Sequence, residues 1–194
     1  MADAVGAEAP GGAFAIRTVA VIGAGRMGRS FALACAAAGF DVVLEDVMPA
    51  KLRRAQEEYA ELAPASAGGG RLRVALTVED AVREADVVVD FVPDELESKL
   101  EIFCLVDRMA PPKTVLLTPS DALSITDLAS CTYRGERCFA VRGGLAAGGE
   151  VRVVHPKGAA AEASNAVVSF LRALGYAVQL EEDRDAPMLV KNYL

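Results

Sequence analysis

Residues 19–32, VAVIGAGRMGRSFA, carry Gly23, Gly25 and Gly28 in the spacing G-x-G-x-x-G, between a short apolar run and a stretch of helix formers. Few features restrict a chain so strongly. The first glycine permits a tight turn out of a strand, and the second lets backbone approach a pyrophosphate. The third lets the following helix pack closely on the strand. That helix points its free N–H groups and partial positive charge at whatever lies above the turn. The next apolar run, DVVLE over 41–45, leads into Asp46, at the offset where an acid accepts ribose hydroxyls and repels a 2′-phosphate. Gly23, Gly25, Arg26, Met27, Gly28 and Asp46 are therefore expected to hold a dinucleotide, NAD(H) in preference to NADP(H). Arg26 and Arg29 add positive charge near its pyrophosphate. The structural alternative is a glycine turn that only packs a helix on a sheet.

The rest of the chain repeats the strand–helix alternation. Apolar strands are expected over 18–22, 41–45, 72–76, 86–92, 114–118, 137–142, 151–155 and 176–180. Helices are expected over 26–38, 50–62, 79–84, 94–109 and 159–174, with a short one after Ser124. Continuous apolar strands separated by helices predict an α/β fold, a Rossmann-like, doubly wound, mostly parallel sheet in a single domain. The organisation expected is a flexible leader over 1–16, a Rossmann NAD-binding domain over 17–186 and the start of a C-terminal helix over 187–194.

Composition narrows the function classes. A net charge of −7 argues against general binding to the phosphate backbone of nucleic acid. Cys35, Cys104, Cys131 and Cys138 form no C-x-x-C pair, and His155 is the single histidine, so no metal site is expected. The cysteines read as small buried residues of a reduced, cytoplasmic protein. The longest apolar run, over 31–40, is too short to span a bilayer, and the N-terminus has no signal-peptide pattern, so no membrane role is expected.

From Arg17 to Leu194 the chain resembles the NAD-binding domain of the 3-hydroxyacyl-CoA dehydrogenases. The resemblance rests on the glycine fingerprint, then ADVVVDFVPDELESKLEIF, APPKTVLL, LSITDLA and DAPMLVKNYL in order. It implies that Asp94, in place of glutamate, and Lys99 lie near the nicotinamide ribose. It also implies that the family's substrate-facing serine falls on Asp121. The catalytic histidine falls on Arg142, in RGGLA where the family has His-Phe-Phe-Asn-Pro. The substrate-binding asparagine falls on Leu145, and the glutamate that orients the histidine on Val154. Asn192 alone matches a family site residue. The resemblance further implies a shortened segment between the second and third strands and no helical second domain.

Those substitutions bear directly on chemistry. Oxidising a hydroxyl needs a base to take its proton, and an arginine side chain cannot be deprotonated in a protein. His155 directly follows Val154 and reads as a strand-end residue without a catalytic task. An NAD(H)-binding protein that is catalytically degenerate or repurposed fits best. The alternatives are an active oxidoreductase on an atypical hydroxyacyl or keto substrate with Asp121 as base, and an interaction subunit that needs no nucleotide. An acyl thioester or other small molecule, a second copy or a partner chain are the further ligands this reading allows. Asp121 and Arg142 are expected to pair across the substrate position and plug it.

Overall fold

The structure is a computed structural model in which residues 14–62, 69–145 and 148–184 are described. Eight strands form one sheet: β1 (Thr18–Ile22), β2 (Asp41–Glu45), β3 (Leu72–Ala75), β4 (Val87–Asp90), β5 (Val115–Pro119), β6 (Cys138–Arg142), β7 (Gly149–His155) and β8 (Tyr176–Glu182). Their order is β3-β2-β1-β4-β5-β6-β7-β8. Every neighbouring pair is parallel except β6–β7, which is antiparallel. The expected Rossmann-like, doubly wound and mostly parallel sheet is present.

Six helices cover the two faces. α1 (Arg26–Ala37), α2 (Pro49–Leu62) and α6 (Ala161–Ala173) pack on one side, where Phe31, Leu52 and Phe170 meet Val19, Val21, Leu44 and Val153. α3 (Val78–Val82), α4 (Leu96–Met109) and α5 (Ile125–Ala129) pack on the other, where Val82, Phe103 and Leu128 meet Ala20, Val88 and Leu116. Burial on both faces explains why the central strands read as unbroken valine and leucine runs rather than alternating ones. β8 lies at the edge, and its alternating, half-polar pattern follows from being covered less.

Several boundaries differ from expectation for local reasons. β7 begins two residues early, at Gly149, because Tyr176 and Ala177 of β8 give its backbone a ladder to join. β8 runs on to Glu182 because β7 supplies a parallel partner as far as His155, whatever the polarity of its side chains. α4 begins at Leu96, leaving Asp94 outside it. Cys35 and Cys138 are buried as expected, but Cys104 and Cys131 are half-exposed, at the margin where α4 meets the turn after α5. Most of the expected leader, all of the C-terminal helix and Asn192 lie outside the described residues, as do residues 63–68.

Candidate functional site

The sheet divides at β1, with β2 on one side and β4 on the other. In such sheets ligands lie in the crevice outside the carboxyl ends of the strands at that switch point. The glycine turn stands at its mouth. Gly23 has φ +97, donates its N–H to the Glu45 carbonyl at 2.8 Å, and passes so near Phe91 that a Cβ would meet the Phe91 carbonyl oxygen at 3.2 Å. Gly28 is tighter still: a Cβ there would lie 1.9 Å from the Gly23 oxygen.

Gly25 is different, because a Cβ there would meet nothing within 4 Å. It is the N-cap of α1 and has no side-chain cap, and the first turn beyond it holds no acid. The initial N–H groups of a helix have no intrahelical partner. Open space above a glycine, facing uncapped N–H groups, fits a pyrophosphate. Arg26 and Met27 are exposed beside it. Arg29 is not free to help, since its Nε pairs with Glu58 Oε2 at 2.8 Å.

Asp46 sits just past β2, buried, with both carboxylate oxygens engaged. Oδ2 accepts the Ala24 N–H at 2.9 Å, and Oδ1 accepts the Met48 N–H at 2.9 Å. Lys51 Nζ stands 3.0 Å from Oδ2. Burial pushes the Asp46 carboxyl up, but the Met48, Lys51 and Ala24 hydrogen bonds outweigh it and hold the group below its ordinary range. It is thus an anion tied to the glycine turn. Lys51 was not singled out from sequence, because five residues after the acid it carries no motif.

The structure separates Asp94 from Lys99. Asp94 is exposed in the turn between β4 and α4. Lys99 is 1% exposed and its ammonium lies 2.7 Å from Asp90 Oδ1, which is buried as deeply. Lys99 shares a helix face with the buried Ile102, Phe103 and Val106, so its stem is drawn inward to the sheet. There it meets an acid that would otherwise stand alone. Burial raises the Asp90 carboxyl, against the lowering effect of Lys99, Thr118 and the Val92 backbone. Asp90 was missed in sequence because it closes an apolar run.

At the end of β6 the remaining positions fall into place. Arg142 is the last residue of the strand. Gly143 and Gly144 follow with φ +99 and +78, and Gly148 and Gly149 lead into β7 with φ +70 and +135. Leu145 and Val154 are buried in opposite cores. His155 ends β7 with Nδ1 3.0 Å from the Pro156 carbonyl oxygen.

The expected Asp121–Arg142 plug is not formed. Asp121 Oδ1 accepts the Gly143 N–H at 2.9 Å instead, and no ion pair joins it to Arg142 within the usual limit of about 4 Å. The left-handed turn at Gly143 presents its amide to the acid, while the alternation of β6 carries Arg142 toward the α3–α5 side. Among the described residues no His, Cys, Asp and Glu cluster suits a metal.

The model of one family, described as 3-hydroxyacyl-CoA dehydrogenase, NAD binding domain, matches residues 18–142. The chain belongs to the 3-hydroxyacyl-CoA dehydrogenase family. NAD is accordingly its cofactor. The chain is 33% identical over 134 residues to a probable 3-hydroxybutyryl-CoA dehydrogenase of Bacillus subtilis, covering 63% of this chain and 46% of that protein. It is 34% identical over 122 residues to the 5-formyl-3-hydroxy-2-methylpyridine 4-carboxylate 5-dehydrogenase of Mesorhizobium japonicum, covering 58% and 40%. The chain thus spans less than half the length of either relative. Among solved structures it is similar to a 3-hydroxyacyl-CoA dehydrogenase of Archaeoglobus fulgidus, with a TM-score of 0.71 and 27% identity, over 91% of this chain and 59% of that one.

Proposed function

We propose that this family member binds NAD(H) without the acid–base machinery of a 3-hydroxyacyl-CoA dehydrogenase, and is catalytically degenerate or repurposed. The observation that carries the reading is the fate of three positions. Where the family has a base, an anchor and an orienting acid, this chain has Arg142, Leu145 buried in one core and Val154 buried in the other. Neither apolar side chain can bind or orient a polar group, and a guanidinium cannot accept the hydroxyl proton. Asp121 is a poor substitute base, since its carboxylate is spent on the Gly143 amide.

On this reading Gly23, Gly25, Arg26, Met27 and Gly28 take the pyrophosphate, Asp46 the adenosine ribose, and Asp94 the nicotinamide side. Lys99 supports the floor of the groove through Asp90. Bound NAD would supply a hydride acceptor; the chain's residues supply only its seat. Kinship with the relatives named above points to an acyl thioester or another small carbonyl compound as the second ligand, and to an origin in fatty acid metabolism. Four unpaired cysteines suit a reduced, cytoplasmic setting.

The test is titration of the full chain with NADH and NADPH, followed by acetoacetyl-CoA turnover with NADH. Binding of NADH ahead of NADPH with negligible turnover supports the reading. Turnover at ordinary enzyme rates, roughly 1–10³ per second, overturns it.

A further inference from the structure

At the C-terminal end of β6 the sheet sets two arginines opposite one another. Arg142 and Arg152 are directly opposed in the antiparallel β6–β7 register. Strand alternation puts both on one face: Ala140 and Val154 belong to the α3–α5 core, whereas Val141, Val151 and Val153 belong to the other. Opposed residues in such a pair hold their Cβ atoms about 4.5–5.5 Å apart, and like charges there are destabilising.

Arg152 is compensated, because Glu181 of β8 lies 3.3 Å away. Arg142, half-buried, has no such partner among the described residues: its Nε is shut off from water and makes no hydrogen bond to any of them. Neither acid of this edge pairs with it: Asp121 Oδ1 accepts the Gly143 N–H, and Glu150, on the same face of β7, accepts from Gln179. A buried donor left unpaired is destabilising, and more so when it belongs to a charged group. An unmatched cation beside a second cation, at the edge where ligands lie in this type of sheet, is an incomplete site. Its missing part is an anion.

We propose that Arg142, with Arg152 beside it, anchors the carboxylate of a small organic acid. The guanidinium fork matches a carboxylate in two parallel hydrogen bonds, and such a partner relieves the Arg142–Arg152 repulsion. The inference rests on the reading of this edge as the ligand side of the nucleotide groove. It replaces a neutral hydroxyl head, to be oxidised, with a charged head, to be held.

Calorimetric titration of succinate into the full chain, with and without saturating NADH, tests the proposal. Millimolar binding is expected, weakened about tenfold or more by Arg142→Gln and less by Arg152→Gln, with NADH fluorescence titration unchanged in both variants. Two variants are used so that a misfolded one leaves the other to decide. No succinate binding to the parent, equal binding to parent and Arg142→Gln, or sulfate binding as tightly as succinate overturns it. The NADH-free arm keeps the two readings apart: failure of NADH to bind, with succinate binding intact, counts against the nucleotide reading alone.

Discussion

Gly25 and Gly28 are three residues apart in the chain, and they make opposite demands. Gly25 faces open space with φ −61, a value any residue adopts, whereas a Cβ on Gly28 would strike the Gly23 oxygen. Gly25→Ala should therefore fold with a loss of no more than about 1 kcal/mol, the scale of an N-cap change, yet bind NADH at least tenfold more weakly. Gly28→Ala should lower the melting temperature before any ligand is added. Thermal unfolding and NADH titration on both variants check the pair. At Asp46 the folded-state carboxyl lies below its ordinary range, through the net effect of hydrogen bonds from Met48, Lys51 and Ala24 over burial. A lowered acid contributes stability above its unfolded value, about 3.9, and loses it as pH falls through the folded value. Asp46→Asn should thus reduce stability at pH 7 and lose that difference below about pH 4, in urea unfolding across pH. Asp46→Ala should weaken NADH and narrow its advantage over NADPH.

Between β4 and α4 the Asp90–Lys99 pair ties a strand to the helix laid across it. Removing one member of a buried pair typically costs about 3–5 kcal/mol, while replacing both with apolar groups is often neutral. Lys99→Met should destabilise on that scale, and adding Asp90→Val should recover most of the loss. Because burial raises the Asp90 carboxyl, its protonated form is the one the interior accepts. Stability of Lys99→Met is then retained at low pH and lost as pH rises from about 4, so its deficit is greatest near neutrality; denaturation of the single and double variants at pH 4 and 7 measures this. Elements of this kind were legible where both faces are covered, because β1, β4 and β5 are continuous apolar runs. The direction of β7 was not. A parallel and an antiparallel strand bury the same valines, and the sign of the β6–β7 pairing comes from four glycines in left-handed backbone. Lys99 was read from a motif that gives a position along the chain, and packing of α4 decided which way its ammonium points.

For the whole molecule, the nucleotide half of the site was readable because turn, helix start and ribose acid are local in sequence. The edge proposed above to hold a carboxylate was not, because Arg142 and Arg152 are opposed only by the register of β6 on β7. NADH binding at one hundred times its dissociation constant stabilises a fold by about 2.7 kcal/mol, which for a domain of this size raises the melting temperature by roughly 5–10 °C. Calorimetric melting with and without NADH should show that rise in the parent and about half of it or less in Gly25→Ala at the same NADH concentration. The hairpin glycines also limit which side chains this turn accepts. Gly143 and Gly144 occupy conformations that L-residues adopt at about 1–2 kcal/mol each, and Leu145 lies in the core. A larger or polar side chain at Gly143, Gly144 or Leu145 would thus meet left-handed backbone or a packed core. On the proposed reading, a histidine placed at Arg142 finds no neighbour able to hold it, so Arg142→His alone should leave dehydrogenase turnover negligible.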